Sequence, residues 1–202
     1  MKKAITFSLA AVLVLILLFG YSTSVNSSLS QNIVRLHILA NSDSSEDQLL
    51  KIKVRDALLE HSRNEFTKKS QVLSQLDLYK QIAEKTISDN GYSYPVTVEY
   101  GNFAFPTKEY KNIRLPAGNY DAVRVKIGNA EGQNWWCVMF PPLCFVDGTT
   151  DSKYAEEKLS TSLNKESYDI ITAHAGNGSI PVEIKFKIVE LFGKLTVYAK
   201  TK

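Results

Sequence analysis

Residues 4–19 are apolar at every position except Thr6 and Ser8, and this run decides how much of the chain is left to build a folded domain. Met1, Lys2 and Lys3 precede it as a short basic segment, and Ser22-Thr23-Ser24 follows it. Basic start, apolar middle and small polar end are the order of an export signal. Sixteen residues fall short of the roughly 20 that cross a bilayer comfortably. The small-residue rule accepts cleavage after Ser24 or after Ser22, and retention as an anchor is the other outcome. No cysteine follows the run, which argues against a lipoprotein. The expected organisation is a signal peptide or anchor over residues 1–24 and a single extracytoplasmic domain over 25–202. Lys2 and Lys3 carry two of the three net positive charges, so the domain is left at +1, with no electrostatic reason to seek nucleic acid or anionic lipid.

Residues 32–40 alternate. Val34, Leu36 and Ile38 form an apolar face, and Ile33, Arg35, His37 and Leu39 form a mixed one, so the segment predicts a strand that covers a core and lifts Arg35 and His37 elsewhere. Asn41-Ser42-Asp43-Ser44-Ser45 then offers helix caps, with Ser45 and Gln48 or Asp43 and Glu46 as capping boxes. Leu50, Val54, Ala57 and Leu58 predict an amphipathic helix over 46–63. A second helix is expected over 70–89, with Val72, Leu76, Tyr79, Ile82 and Ala83 inward and Asn90-Gly91 as its stop.

From Tyr94 the period changes to two. Val96, Val98 and Tyr100 start a strand that Gly101-Asn102 is expected to break, and Phe103-Ala104-Phe105 resumes it. A turn at 115–119 leads to a strand over 120–127 with Val123, Val125 and Ile127 inward. Residues 135–140 are continuously apolar and predict a central strand ended by Pro141-Pro142, with 143–146 pairing once more. Strands in series with short links predict an antiparallel sheet, and two successive helices predict a hairpin on one of its faces, giving an α+β fold. A short helix is expected near 154–163, and a strand passing into a helix from 181 onward.

Local catalytic signatures are missing. The three histidines, His37, His61 and His174, stand in no metal spacing, and no nucleophile elbow or phosphate-cradling glycine loop occurs, so no cofactor or metal is expected. His61 and His174 read as ordinary surface positions. His37 shares a face with Arg35 close to Asn41 and Asp43, which suits a binding edge, a histidine bonded to the following turn, or an acid/base pair. Alternation of Trp135 and Trp136 sends one ring outward as an interface anchor unless both sheet faces are covered. Cys137 and Cys144 would leave the cytosol with the domain. A disulfide between them is allowed and would contribute about 2.5 kcal/mol, and two buried thiols are the alternative.

The run Ile33-Val34-Arg35-Leu36-His37-Ile38-Leu39-Ala40-Asn41-Ser42-Asp43-Ser44, the basic helix after it, Phe105-Pro106-Thr107-Lys108, Pro116-Ala117-Gly118-Asn119-Tyr120 and Asn134-Trp135-Trp136-Cys137 through Pro141-Pro142-Leu143-Cys144-Phe145 resemble, in order, the stage II sporulation protein R family. Beyond residue 147 the resemblance lapses until 182–195. It implies a signalling protein, not an enzyme, made in the forespore of an endospore-forming bacterium and exported into the space between the septal membranes. There it would activate a membrane-embedded aspartic protease that processes the precursor of sigma factor E. Arg35, His37, Asn41, Asp43, Trp135 and Trp136 are the candidate partner contacts. An exported hydrolase using His37 and Asp43, and a septal adhesion module on an uncleaved anchor, are the other classes considered.

Overall fold

The computed structural model describes residues 2–62, 68–110, 113–141, 143, 152–172 and 182–200. His174, Cys144 and the expected pairing of 144–146 lie outside the described residues. The chain divides into two compact units, each assembled from separate stretches of sequence.

One unit comprises residues 30–103 and 120–162. Its strand β1 is Val34–Leu39, followed by helices α2 (Ser45–Ser62), α3 (Lys69–Leu73) and α4 (Leu76–Asp89). Strands β2 (Val96–Phe105), β5 (Gly118–Ile127) and β6 (Asn134–Phe140) and helix α5 (Ser152–Ser162) complete it, with β2 and β5 running on into the other unit. The sheet order is β2-β5-β1-β6. β1 runs parallel to β5 and antiparallel to β6, so the sheet is mixed and not the purely antiparallel one expected from short links. The physical reason lies in pairing. β5 and β6 are joined by a short loop, yet β1 is inserted between them, and the long helical crossover after β1 supplies what a parallel pair requires.

β6 is an edge strand of this sheet, not the central strand its apolar run suggested. A continuous apolar run says that both faces are covered and is silent about both edges. Helix α3 packs against β6, and Cys137 to Phe140 are buried.

α2 and α4 pack on each other, and α2 lies on β1, which is the expected hairpin over one sheet face. The cap of α2 is Ser44, whose Oγ accepts the Asp47 N–H at 3.2 Å, one residue from either predicted box. The single helix expected over 70–89 is two, broken at Ser74 and Gln75, and buries Val72, Tyr79, Ala83 and Ile87. Gly91, at φ 82°, stops α4 as predicted. Gly101-Asn102 does not break β2, because a glycine with neighbours in register costs a strand only about 1 kcal/mol. His61 is half-buried, its Nε2 2.7 Å from Gln75 Oε1 and its ring edge-on to Tyr79, tying α2 to the start of α4.

The other unit comprises residues 1–29, 104–119 and 163–202. It holds most of helix α1 (Lys2–Asn32), the antiparallel pair β3 (Lys108–Tyr110) and β4 (Ile113–Leu115), and helices α6 (Lys165–Thr172) and α7 (Val182–Lys200). Residues 182–187 are helical, not a strand. Phe186, Val189, Glu190 and Gly193 repeat at helical spacing and are buried, and that longer pattern outweighs the brief alternation of Val182, Ile184 and Phe186. Thr107 links the pieces, donating to Glu190 Oε1 at 2.6 Å and accepting the Ala117 N–H at 3.0 Å.

Candidate functional site

Because β1 sits between β5 and β6, the loop joining them, residues 128–133, passes over the end of β1 and meets the chain leaving it. Four backbone N–H groups of the loop are taken up there. Asn129 donates to Asn41 Oδ1 (2.9 Å), Glu131 to the Asn41 carbonyl (3.2 Å), Gly132 to the Ala40 carbonyl (3.0 Å) and Gln133 to Asp43 Oδ1 (2.7 Å). Asn41 Nδ2 and Ser42 Oγ both donate to Asp47 Oδ2, at 2.8 and 2.6 Å. Burial opposes ionisation of Asp47, but these hydrogen bonds outweigh it and hold the carboxyl below its usual range. Lys51 Nζ closes the clamp on the Gln133 carbonyl at 2.8 Å.

Two glycines make this approach possible. Gly128 has φ 57°, and a Cβ there would overlap the Asn41 side chain; a Cβ on Gly132 would overlap the Ser42 carbonyl. Gly132→Ala is expected to cost about 2 kcal/mol of stability, read as a lower denaturation midpoint with unchanged slope.

The face of the sheet turned away from α2 carries Arg35, His37 and Trp136. Register places Arg35 beside Ala122 and Val138, His37 between Arg124 and Trp136, and Leu39 between Lys126 and Asn134. His37 is 5% exposed, stacked on Trp136 with ring centroids 3.7 Å apart, and its Nε2 is 2.7 Å from Asn134 Oδ1. Burial pushes its pKa down to about 4, against the Asn134 hydrogen bond, which raises it, and Arg124 adds to the lowering. Arg35 is fully buried, with Nε donating to the Cys137 carbonyl at 2.9 Å and its guanidinium 5.1 Å from the Tyr120 ring centroid. Trp136 is half-buried. Trp135 points to the opposite face, beneath the Arg55 guanidinium at 4.4 Å.

On the same face, across His37 from Trp136, lies a set that sequence reasoning missed. Arg124 donates to Glu99 Oε1 at 2.6 Å and covers the Phe103 ring at 3.9 Å, and Lys126 Nζ reaches the same Glu99 oxygen at 2.8 Å. Burial works against the Glu99 charge, yet the hydrogen bonds from Lys126 and Arg124 hold its carboxyl below the usual range. These side chains are partly exposed. The signal was present: Arg124 and Lys126 alternate with the inward Val123, Val125 and Ile127, so the polar face of β5 could have been named with its apolar one.

His37 and Asp43 are engaged separately, one with Asn134 and the other with the Gln133 backbone. No cluster of three metal-ligating side chains occurs among the described residues. The site therefore offers an aromatic and guanidinium surface on a braced sheet, chemistry suited to recognition.

Residues 30–150 match the family described as stage II sporulation protein R. The chain belongs to the stage II sporulation protein R family. A stage II sporulation protein R of Bacillus subtilis (strain 168) is 32% identical over 186 residues, which cover 80% of each chain. No solved structure matches. The stage II sporulation protein R segment contains β1, the clamp and the Trp136 face, so the geometry described here falls within the matched residues. Membership gives this chain a sporulation role, in a family of signalling proteins rather than enzymes.

Proposed function

We propose that this chain is an exported sporulation signal. It acts outside the cytoplasm, in the space between the septal membranes, and activates a membrane-embedded aspartic protease that processes the sigma factor E precursor. Family membership supports the sporulation role, and helix α1, long and apolar enough to enter a membrane, supports export. The observation that carries the contact surface is the pairing of half-buried Trp136 and the Arg124 guanidinium on either side of His37 on one sheet face, Trp136 stacked on His37 and Arg124 bonded to Glu99. Tryptophan and arginine in partly desolvated settings are the usual energetic centres of protein interfaces. Trp136, Arg124 and Phe103 take the contact role. Arg35, His37, Asn41 and Asp43 hold that surface in place, and Trp135 joins α2 to β6. The disulfide between Cys137 and Cys144 remains part of the proposal.

Activation of this kind needs no bond chemistry in the activator. It requires tighter binding to the active state of the protease than to the resting state, and the difference in affinity sets the extent of the shift.

The test is co-expression of the full chain, the protease and the sigma factor precursor in a non-sporulating host, with the processed fraction read by immunoblot. Processing should depend on this chain. Trp136→Ala combined with Arg124→Ala should weaken it by about thirtyfold or more at matched protein level, the effect of losing roughly 2 kcal/mol at an interface centre. Unchanged processing in that variant would reject the surface, and processing without the chain would reject the activation.

A further inference from the structure

α7 has two apolar faces. Phe186, Val189 and Gly193 are buried within their unit, while Ile184, Ile188, Leu191, Leu195 and Tyr198 form a second stripe at spacings of four, three, four and three. Leu191, Leu195 and Tyr198 are 58, 55 and 63% exposed.

The path of α7 along α1 bears on what covers this stripe. Phe19 meets Phe192 edge-on at 5.8 Å, and Ser22 Oγ donates to the Val189 carbonyl at 3.4 Å. Three residues forward in α1 correspond to three residues back in α7, so the two helices run antiparallel. Equal rise per residue then brings Leu195 roughly level with Ile16 and Tyr198 roughly level with Leu13, within the exposed apolar run of α1. Lys187 and Lys194 border the stripe, exposed, with Glu190 between them taking an ion pair from each.

We propose that the C-terminal half of α7 dips alongside α1 into the membrane that α1 enters, its outward stripe against lipid. This rests on the reading that α1 inserts. A single occupant then covers both exposed apolar surfaces of the unit, whereas a helix from a second copy would cover the α7 stripe and leave α1 bare. Lysine stems at the border of such a stripe carry their amines back toward the phosphates.

The full chain is reconstituted in phosphatidylethanolamine and phosphatidylglycerol vesicles and labelled with NBD on one introduced cysteine, without reductant, the parent chain giving the background. Leu195→Cys is compared with Val12→Cys in α1 and Lys80→Cys on α4. Label at 195 should resist dithionite at least tenfold longer than label at 80, and doxyl lipid should quench it. Rapid dithionite reaction at 195 with protection at 12 overturns the inference and leaves membrane insertion standing. Protection at 195 without doxyl quenching also overturns it, since protein and not lipid then covers the stripe. Exposure at both 12 and 195 removes the insertion reading along with it.

Discussion

Arg35→Ala should cost about 4 kcal/mol of folding stability, the largest effect expected for any single change in the sheet. The side chain is fully buried at the centre of a four-stranded sheet, so truncation leaves a void where a long stem packed, a loss of about 2–5 kcal/mol for residues of this size. It also strips the Cys137 carbonyl of the Nε–H donor at 2.9 Å, and a buried acceptor left without its partner costs a further 1–3 kcal/mol. Partial collapse of the site keeps the sum below the simple total. Arg35→Met refills the volume without the hydrogen bond and should cost about half as much. Arg35→Lys retains the charge but loses the planar contact over Tyr120 and the fixed Nε geometry, and should fall between the two. Urea unfolding of the four chains side by side decides the order. If Arg35→Met were as damaging as Arg35→Ala, packing would not be the main term. If Arg35→Ala lost under 1 kcal/mol, the buried arginine would have no structural role.

The same strand shows what sequence could and could not reveal. Alternation over 33–39 is a property of neighbouring residues, and β1 followed from it directly. Which neighbours its mixed face would meet was not legible, because the pairing of β1 between β5 and β6 is decided by residues about 90 positions away. Arg35 and His37 are therefore covered by neighbours that no local pattern displays. Asn41 and Asp43 show the same thing from the polar side. Their turn-forming chemistry was legible, but the N–H groups they accept belong to Asn129 and Gln133. The helices were more open to reading: α2 and the Gly91 stop depend on contacts within a few residues. The break at Ser74 and Gln75 depends on none of these, and the apolar spacing runs straight through it. At the C-terminus a six-residue alternation competed with a longer helical repeat, and the longer repeat corresponds to the buried face of α7.

Mild acid should loosen the fold through His37 before any carboxylate contributes. With its pKa lowered to about 4 by burial, the folded state binds fewer protons there than the unfolded chain, whose histidine titrates near 6.5. Stability is therefore whole above pH 6.5 and declines as pH falls toward 4, because protons favour the unfolded chain. By pH 4.5 the linkage amounts to about 2.5 kcal/mol. Asp47, Glu99, Asp121 and Glu190 are held below their usual values, so their stabilising contributions are lost only as pH falls below about 4.5, and the interval above it isolates the histidine. His37→Gln removes the titration while leaving an amide near Asn134. Denaturation midpoints of that variant should stay nearly flat between pH 6.5 and 4.5, where those of the parent chain decline. Tryptophan emission adds a local readout, since Trp136 stacks on the imidazole at 3.7 Å and a protonated ring there would quench it. Parallel declines in the two chains would assign the acid sensitivity to other groups and leave His37 as a packed, silent residue.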